Sequence, residues 1–169
     1  ELVTRGLLVA VGDLDTGWVT IGRRTTGFAG HRIDSVWNYA ASLVRPLFDR
    51  FVPDAAGVMV LTAAHLGRMR DTSLWAVTAL PNGRYLLRAH DLEAWFHGTG
   101  ASSVRGRHSE FLGPQPDEAT LTAARTALGD ALLTPQAATD HNPWPPDDPA
   151  HRRVNKRANE ILAQTGDDP

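Results

Sequence analysis

The chain has 169 residues, a formal net charge of −2, 42% hydrophobic and 21% charged residues, and no cysteine. This is the composition of an ordinary globular protein with length enough for a sizeable core. It excludes disulfides and thiolate metal sites, and it exerts no global pull on nucleic acid or an anionic surface. No apolar stretch approaches the length of a membrane span and no leader pattern is visible, so the expectation is a cytoplasmic protein with no membrane partner. Lys156 is the single lysine among 17 basic residues. That arginine bias suggests a GC-rich bacterial genome, and it makes arginine abundance alone a weak sign of phosphate binding.

Residues 7–12 and 17–23 read as two strands joined across Asp13-Leu14-Asp15-Thr16, where turn chemistry accounts for both carboxylates. After a loop at Thr25–Gly30, the residues Ile33, Val36, Trp37, Ala40, Val44, Leu47, Phe48 and Phe51 recur at helical spacing. They predict a long helix with a wide apolar stripe. Pro46 lacks the amide that would bond back to Ser42, so a kink or two abutting helices are expected there. Gly57–Ala63 is a continuous apolar run, the pattern of a strand buried on both faces.

Residues 73–98 organise the rest. Two β-prone runs flank Asn82-Gly83, a dipeptide suited to a two-residue type I′ turn. With the turn centred there, Leu80 faces Tyr85, Thr78 faces Leu87 and Ala76 faces Ala89 on the core side. Val77 then faces Arg88 and Trp75 faces His90 on the other side. Pro81 is the residue able to force a longer loop, and a one-residue slip would exchange the faces. Residues 98–116 form a long Gly-, Ser- and Arg-containing loop. A helix marked by Leu121, Ala124, Leu128 and Leu132 follows, with Asp117 and Glu118 at its start and Thr134-Pro135 at its end.

The expected domain organisation is a globular α+β domain over 1–134, a Pro-rich linker or strap over 135–149, and an amphipathic tail helix over 150–169. Asp148-Pro149 suits the start of that last helix, and Val154, Ala158, Ile161 and Leu162 give it a narrow apolar edge. The fold class read from this order is α+β: a mainly antiparallel sheet of about five strands, with a long helix and a C-terminal helix packed on it, plus the strap and tail.

The chemistry-bearing residues gather at the end of the hairpin and in the loop after it. Glu93 and His97 stand four apart on one face of a short helical turn and form the candidate acid–base pair. Trp75, Arg88 and His90 on the strands, with Ser102, Arg105, Arg107 and His108 in the loop, form the candidate ligand-binding set. Glycines admit a close anion, and hydroxyls and guanidinium forks hold phosphate oxygens. The expected function is therefore binding of a phosphate-containing ligand, a nucleotide or a nucleic acid, with catalysis as an extension. The alternative is a non-catalytic interaction module whose strap and tail helix dock on a protein partner or on a second copy. No cofactor is indicated. A metal held by His90, Glu93 and His97 is not adopted, because no tight ligand motif is present.

Two short resemblances concern histidines. His97-Gly98-Thr99 resembles the His-Gly-Ser/Thr element of polymerase-type ADP-ribosyltransferases, in which His and Gly hold the ribose and nicotinamide of NAD. That family expects a tyrosine further along, whereas Tyr39 and Tyr85 both lie upstream. Val60–His65 (Val-Leu-Thr-Ala-Ala-His) is similar to the histidine motif of trypsin-like serine proteases. No Gly-Asp-Ser-Gly-Gly follows, so the triad lacks its nucleophile and His65 reads as an ordinary strand-end residue.

Overall fold

The computed structural model describes residues 19–21, 37, 40–96 and 116–166. Four antiparallel strands form one sheet in the order β1-β2-β4-β3: β1 (Val19–Ile21), β2 (Val58–Thr62), β3 (Trp75–Leu80) and β4 (Arg84–Ala89). Six helices accompany them: α1 (Ala41–Val44), α2 (Ala63–Leu66), α3 (Leu92–Phe96), α4 (Glu118–Leu128), α5 (Pro135–Asp140) and α6 (Pro149–Gly166). The fold is mixed α+β.

The described sheet departs from the expected one of about five strands. It has four, of which β1 is only three residues long. Residues 7–12 lie outside the described residues, and β1 pairs with β2 rather than with a neighbour in a described hairpin. The long helical segment is broken at Pro46, as its missing amide predicts. α1 ends at Val44, and Arg45–Leu47 tighten into a 3-10 turn with Pro46 at its start. Proline's missing amide removes the bond to residue 42, and its ring crowds the preceding turn. The apolar stripe nevertheless survives, because Trp37, Ala40, Val44, Leu47 and Phe51 are all buried.

Among the described residues, that stripe clusters with other helices rather than with the sheet. Trp37, Val44, Leu47 and Phe51 share one cluster with Leu133, Ala138, Val154, Ala158 and Ile161, so α5 and α6 are their partners. Val154, Ala158 and Ile161 fall at helical spacing on α6, and burying such side chains contributes about 1.5–3 kcal/mol for each large one. Asp148 accepts the Ala150 amide at 2.7 Å at the start of α6, and Thr134 accepts the Ala137 amide at 3.0 Å at the start of α5. Between the two helices, the Trp144 indole donates to the Leu43 carbonyl at 2.8 Å.

A second cluster lies between the sheet and α4. Met59 and Leu61 from β2, Leu87 and Ala89 from β4, and Trp75 from β3 meet Ala124, Ala127 and Leu128. α4 stops at Gly129, short of the predicted end at residue 134. Gly129 has φ +53°, and a Cβ there would stand 3.0 Å from that of Arg70. The chain can turn here because glycine alone tolerates both conditions.

The segment 51–56 joins the clusters. The Val52 amide donates to the Ala131 carbonyl at 2.7 Å, and the Leu133 amide donates to the Val52 carbonyl at 2.8 Å. Two residues on, buried Asp54 accepts a two-pronged bond from Arg125 of α4 at 2.8 and 2.9 Å, and one of its oxygens also accepts the Ala55 amide. Removing one member of a buried pair strands the other charge. Arg125→Met is expected to lower the unfolding free energy by about 3 kcal/mol, measured by urea denaturation. A loss within 0.5 kcal/mol, the roughly neutral range of surface substitutions, would show that the pair does not tie α4 to this segment.

Candidate functional site

The β3–β4 turn places the first candidate residues. Pro81, Asn82 and Gly83 form a three-residue 3-10 turn, with Gly83 at φ +68°. The two-residue turn is thereby lengthened by one, and the register becomes Trp75↔Ala89, Ala76↔Arg88, Val77↔Leu87 and Ala79↔Tyr85. Because side chains alternate along a strand, this slip moves every β3 side chain to the face opposite the expected one. Trp75 therefore sits in the core, 3% exposed, with its indole donating to the Ala56 carbonyl at 3.1 Å. The expected surface combining Trp75, Arg88 and His90 does not form.

Arg88 and His90 remain together. They flank buried Ala89 and are both exposed on the face away from α4. The His90 amide donates to the Leu74 carbonyl at 3.1 Å, which holds this end of β4 in the sheet. Asp91 then accepts the Ala94 amide at 3.1 Å and starts α3, where Glu93 is exposed. Trp95 anchors α3 against the backbone of Gly57, where an added Cβ would stand 2.7 Å from the indole Cγ. His97, Ser102, Arg105, Arg107 and His108 lie outside the described residues.

Among the described residues, neither of two clefts that lie elsewhere includes Arg88, His90 or Glu93. One, of about 640 Å³, is lined by Phe51, Arg68, Arg70, Asp130, Gln136 and His141 among others. Its most constrained cation is Arg68. Two of its nitrogens donate to the Asp130 carbonyl at 3.1 and 3.0 Å, and its guanidinium lies 4.5 Å from the Phe51 ring centre. Sequence reasoning did not single out these residues. They come from four separated segments, and no local spacing signals their meeting. Among the described residues, no group of three or more His, Asp or Glu side chains is placed to hold a metal ion.

His65 has a structural position. Thr62 caps α2 by accepting the His65 amide at 3.4 Å, and its own amide donates to Nδ1 of His65 at 3.3 Å. Nδ1 is therefore an acceptor, which leaves the proton on Nε2 to be donated to the Phe48 carbonyl at 3.1 Å. The ring is fully buried and bridges the sheet to the turn at residue 48. Burial holds its pKa below the usual 6.5, against the opposing pull of the Phe48 carbonyl and Asp49. A neutral ring with both nitrogens engaged is a brace.

A search of protein-family models, curated proteins and solved structures found no match to this chain.

The lowered pKa of His65 has a thermodynamic consequence. Below pH 6.5 the unfolded chain binds a proton at this residue that the native state refuses. Its stabilising contribution is thus complete above the unfolded value and is lost as pH falls from there toward the native one. His65→Gln is expected to cost about 1–3 kcal/mol at neutral pH and to flatten the decline in stability on acidification. Urea midpoints across that pH range test this, and parallel wild-type and variant profiles would refute it.

Proposed function

We propose that this chain binds a phosphate-containing ligand, a nucleotide or a nucleic acid strand, at the end of the hairpin and in the loop that follows. The observation that carries the reading is the pair Arg88 and His90, two residues apart and both exposed at the end of β4. No hydrogen bond or ion pair with another described side chain occupies either of them. They stand just before the chain enters its Gly-, Ser- and Arg-containing stretch, with Ser102, Arg105, Arg107 and His108. A guanidinium fork and an imidazolium beside hydroxyls and glycine amides are the donors that a phosphate takes. Exposed Glu93, and His97 four residues later in the sequence, are the acid–base candidates of the same site.

The strap and tail offer less to a partner than the competing reading requires. Val154, Ala158 and Ile161 are buried within the chain, and Trp144 is bonded to Leu43. No described helix is long and apolar enough to cross a membrane, and a cytoplasmic setting belongs to the same proposal.

Thermal melting against nucleotides, NAD, short DNA and RNA tests this proposal. Wild type is compared with the double variants Arg88→Ala/His90→Ala and Arg105→Ala/His108→Ala. A ligand at about 100 times its dissociation constant adds roughly 2.7 kcal/mol. The expected result is a stabilising shift with a phosphate-bearing ligand that each double variant reduces. A flat panel, or a shift that neither variant alters, would overturn the proposal.

A further inference from the structure

We infer that β3 is a homodimerisation edge, which pairs antiparallel with β3 of a second copy to join two four-stranded sheets into one. β3 is the last strand of the described sheet, and Ala76, Val77, Thr78 and Ala79 are all exposed. Its register with β4 determines which backbone groups point outward. The His90 amide bonds the Leu74 carbonyl, and the Ala89 amide bonds the Gly57 carbonyl. In β4, then, even-numbered residues bond toward β3 and odd-numbered ones toward β2. By the same register the even-numbered residues of β3 are spent on β4, which leaves the amides and carbonyls of Val77 and Ala79 directed away from the sheet.

Natural edge strands are usually blunted by lysine, proline, a bulge or an inward charge. Trp75–Leu80, Trp-Ala-Val-Thr-Ala-Leu, contains none of these, and its pairing with β4 is regular throughout. Of the three most exposed large apolar side chains among the described residues, Leu74 (38%) and Val77 (42%) belong to this strand or adjoin it.

The occupant that fits best is the strand itself. An uncharged edge that meets its own copy across a twofold axis confronts no like charge, whereas charged edges repel in that arrangement. Two registers keep both cores on the same side of the joined sheet, one with Val77 opposite Val77 and one with Thr78 opposite Thr78. Each lets the outward Val77 and Ala79 groups form four backbone hydrogen bonds across the axis. Beside the start of the strand, a groove of about 360 Å³ lined by Leu74, Ala123, Thr126 and Ala127, with Arg70 and Asp71 also in its lining, would adjoin the far end of the partner strand. The exposed Ala119, Thr122, Ala123 and Thr126 of α4 are all small, so the helices do not obstruct the approach.

Sedimentation velocity of the full chain over a concentration series tests the inference, with Val77→Lys as the disrupting variant. The expected result is a reversible dimer for wild type and a monomer for V77K at every concentration, with an unchanged far-UV circular dichroism spectrum. The chain contains no cysteine, so Val77→Cys and Thr78→Cys each introduce a single thiol. Oxidation of one of them should give a disulfide-linked dimer, and the position that links identifies the register. A cysteine at exposed Asn159 on α6 should give much less. These crosslinks decide the matter if V77K does not fold. A wild-type monomer throughout, a dimer indifferent to V77K, or crosslinking no greater at 77 and 78 than at 159 would overturn the inference.

Discussion

The two buried clusters of the described chain meet at Phe51 and Val52. Val52 takes part in a single parallel bridge, with its amide on the Ala131 carbonyl and its carbonyl on the Leu133 amide. On one side Phe51 enters the helical cluster with Trp37, Val154 and Ile161, and on the other Val52 itself enters the sheet cluster with Met59 and Leu87. Trp37 reinforces the crossing by donating to the Leu133 carbonyl at 2.8 Å, and Asp54 reinforces it through Arg125. Buried backbone groups must be paired. A short extended segment between two apolar clusters meets that requirement only where another extended segment lies beside it. The chain does so at Leu132, because Gly129 stops α4, a 3-10 turn over Gly129–Ala131 follows, and the backbone then becomes extended.

This arrangement determines what reaches the surface. β2 lies between β1 and β4 and is buried over Val58–Leu61, so the sheet is anchored at its centre. Helix α4 covers one face of β4 through Leu87 and Ala89, and strand alternation then places Arg88 and His90 on the other face. The proposed ligand residues are thus carried on a well-supported strand. Trp95, pressed on Gly57, holds α3 and Glu93 against the same sheet.

Elements dominated by one local pattern were legible in the sequence. The continuous apolar run at 57–63 became a central buried strand, and the spacing of Val154, Ala158 and Ile161 became a buried helix face. The apolar stripe is buried at Trp37, Ala40, Val44, Leu47 and Phe51, and the break expected at Pro46 is present. A 3-10 turn after Pro46 keeps Val44 and Leu47 on one side, so burial alone does not report where the helix stops. The hairpin shows the sharpest limit. Pro81 and Gly83 were recognised as turn residues, yet a loop one residue longer inverted β3 and moved Trp75 from the expected site into the core. Arg88, His90 and Glu93 are exposed. The Asp54–Arg125 pair spans 71 residues and His65–Phe48 spans 17, and neither separation carries a periodic signal. Five of the candidate residues, His97 and the four in the loop, lie outside the described residues.

The central physical claim is that the bridge at Val52 makes the helical and sheet clusters one cooperative unit. Native-state hydrogen exchange in rising urea tests it most directly. The account predicts that the Val52 and Leu133 amides open together with those of Leu87 in β4 and Ala158 in α6, all on one common isotherm that equals global unfolding. Release of the α5–α6 amides at lower urea, while Leu87 stays protected, would contradict it and show two units that only touch.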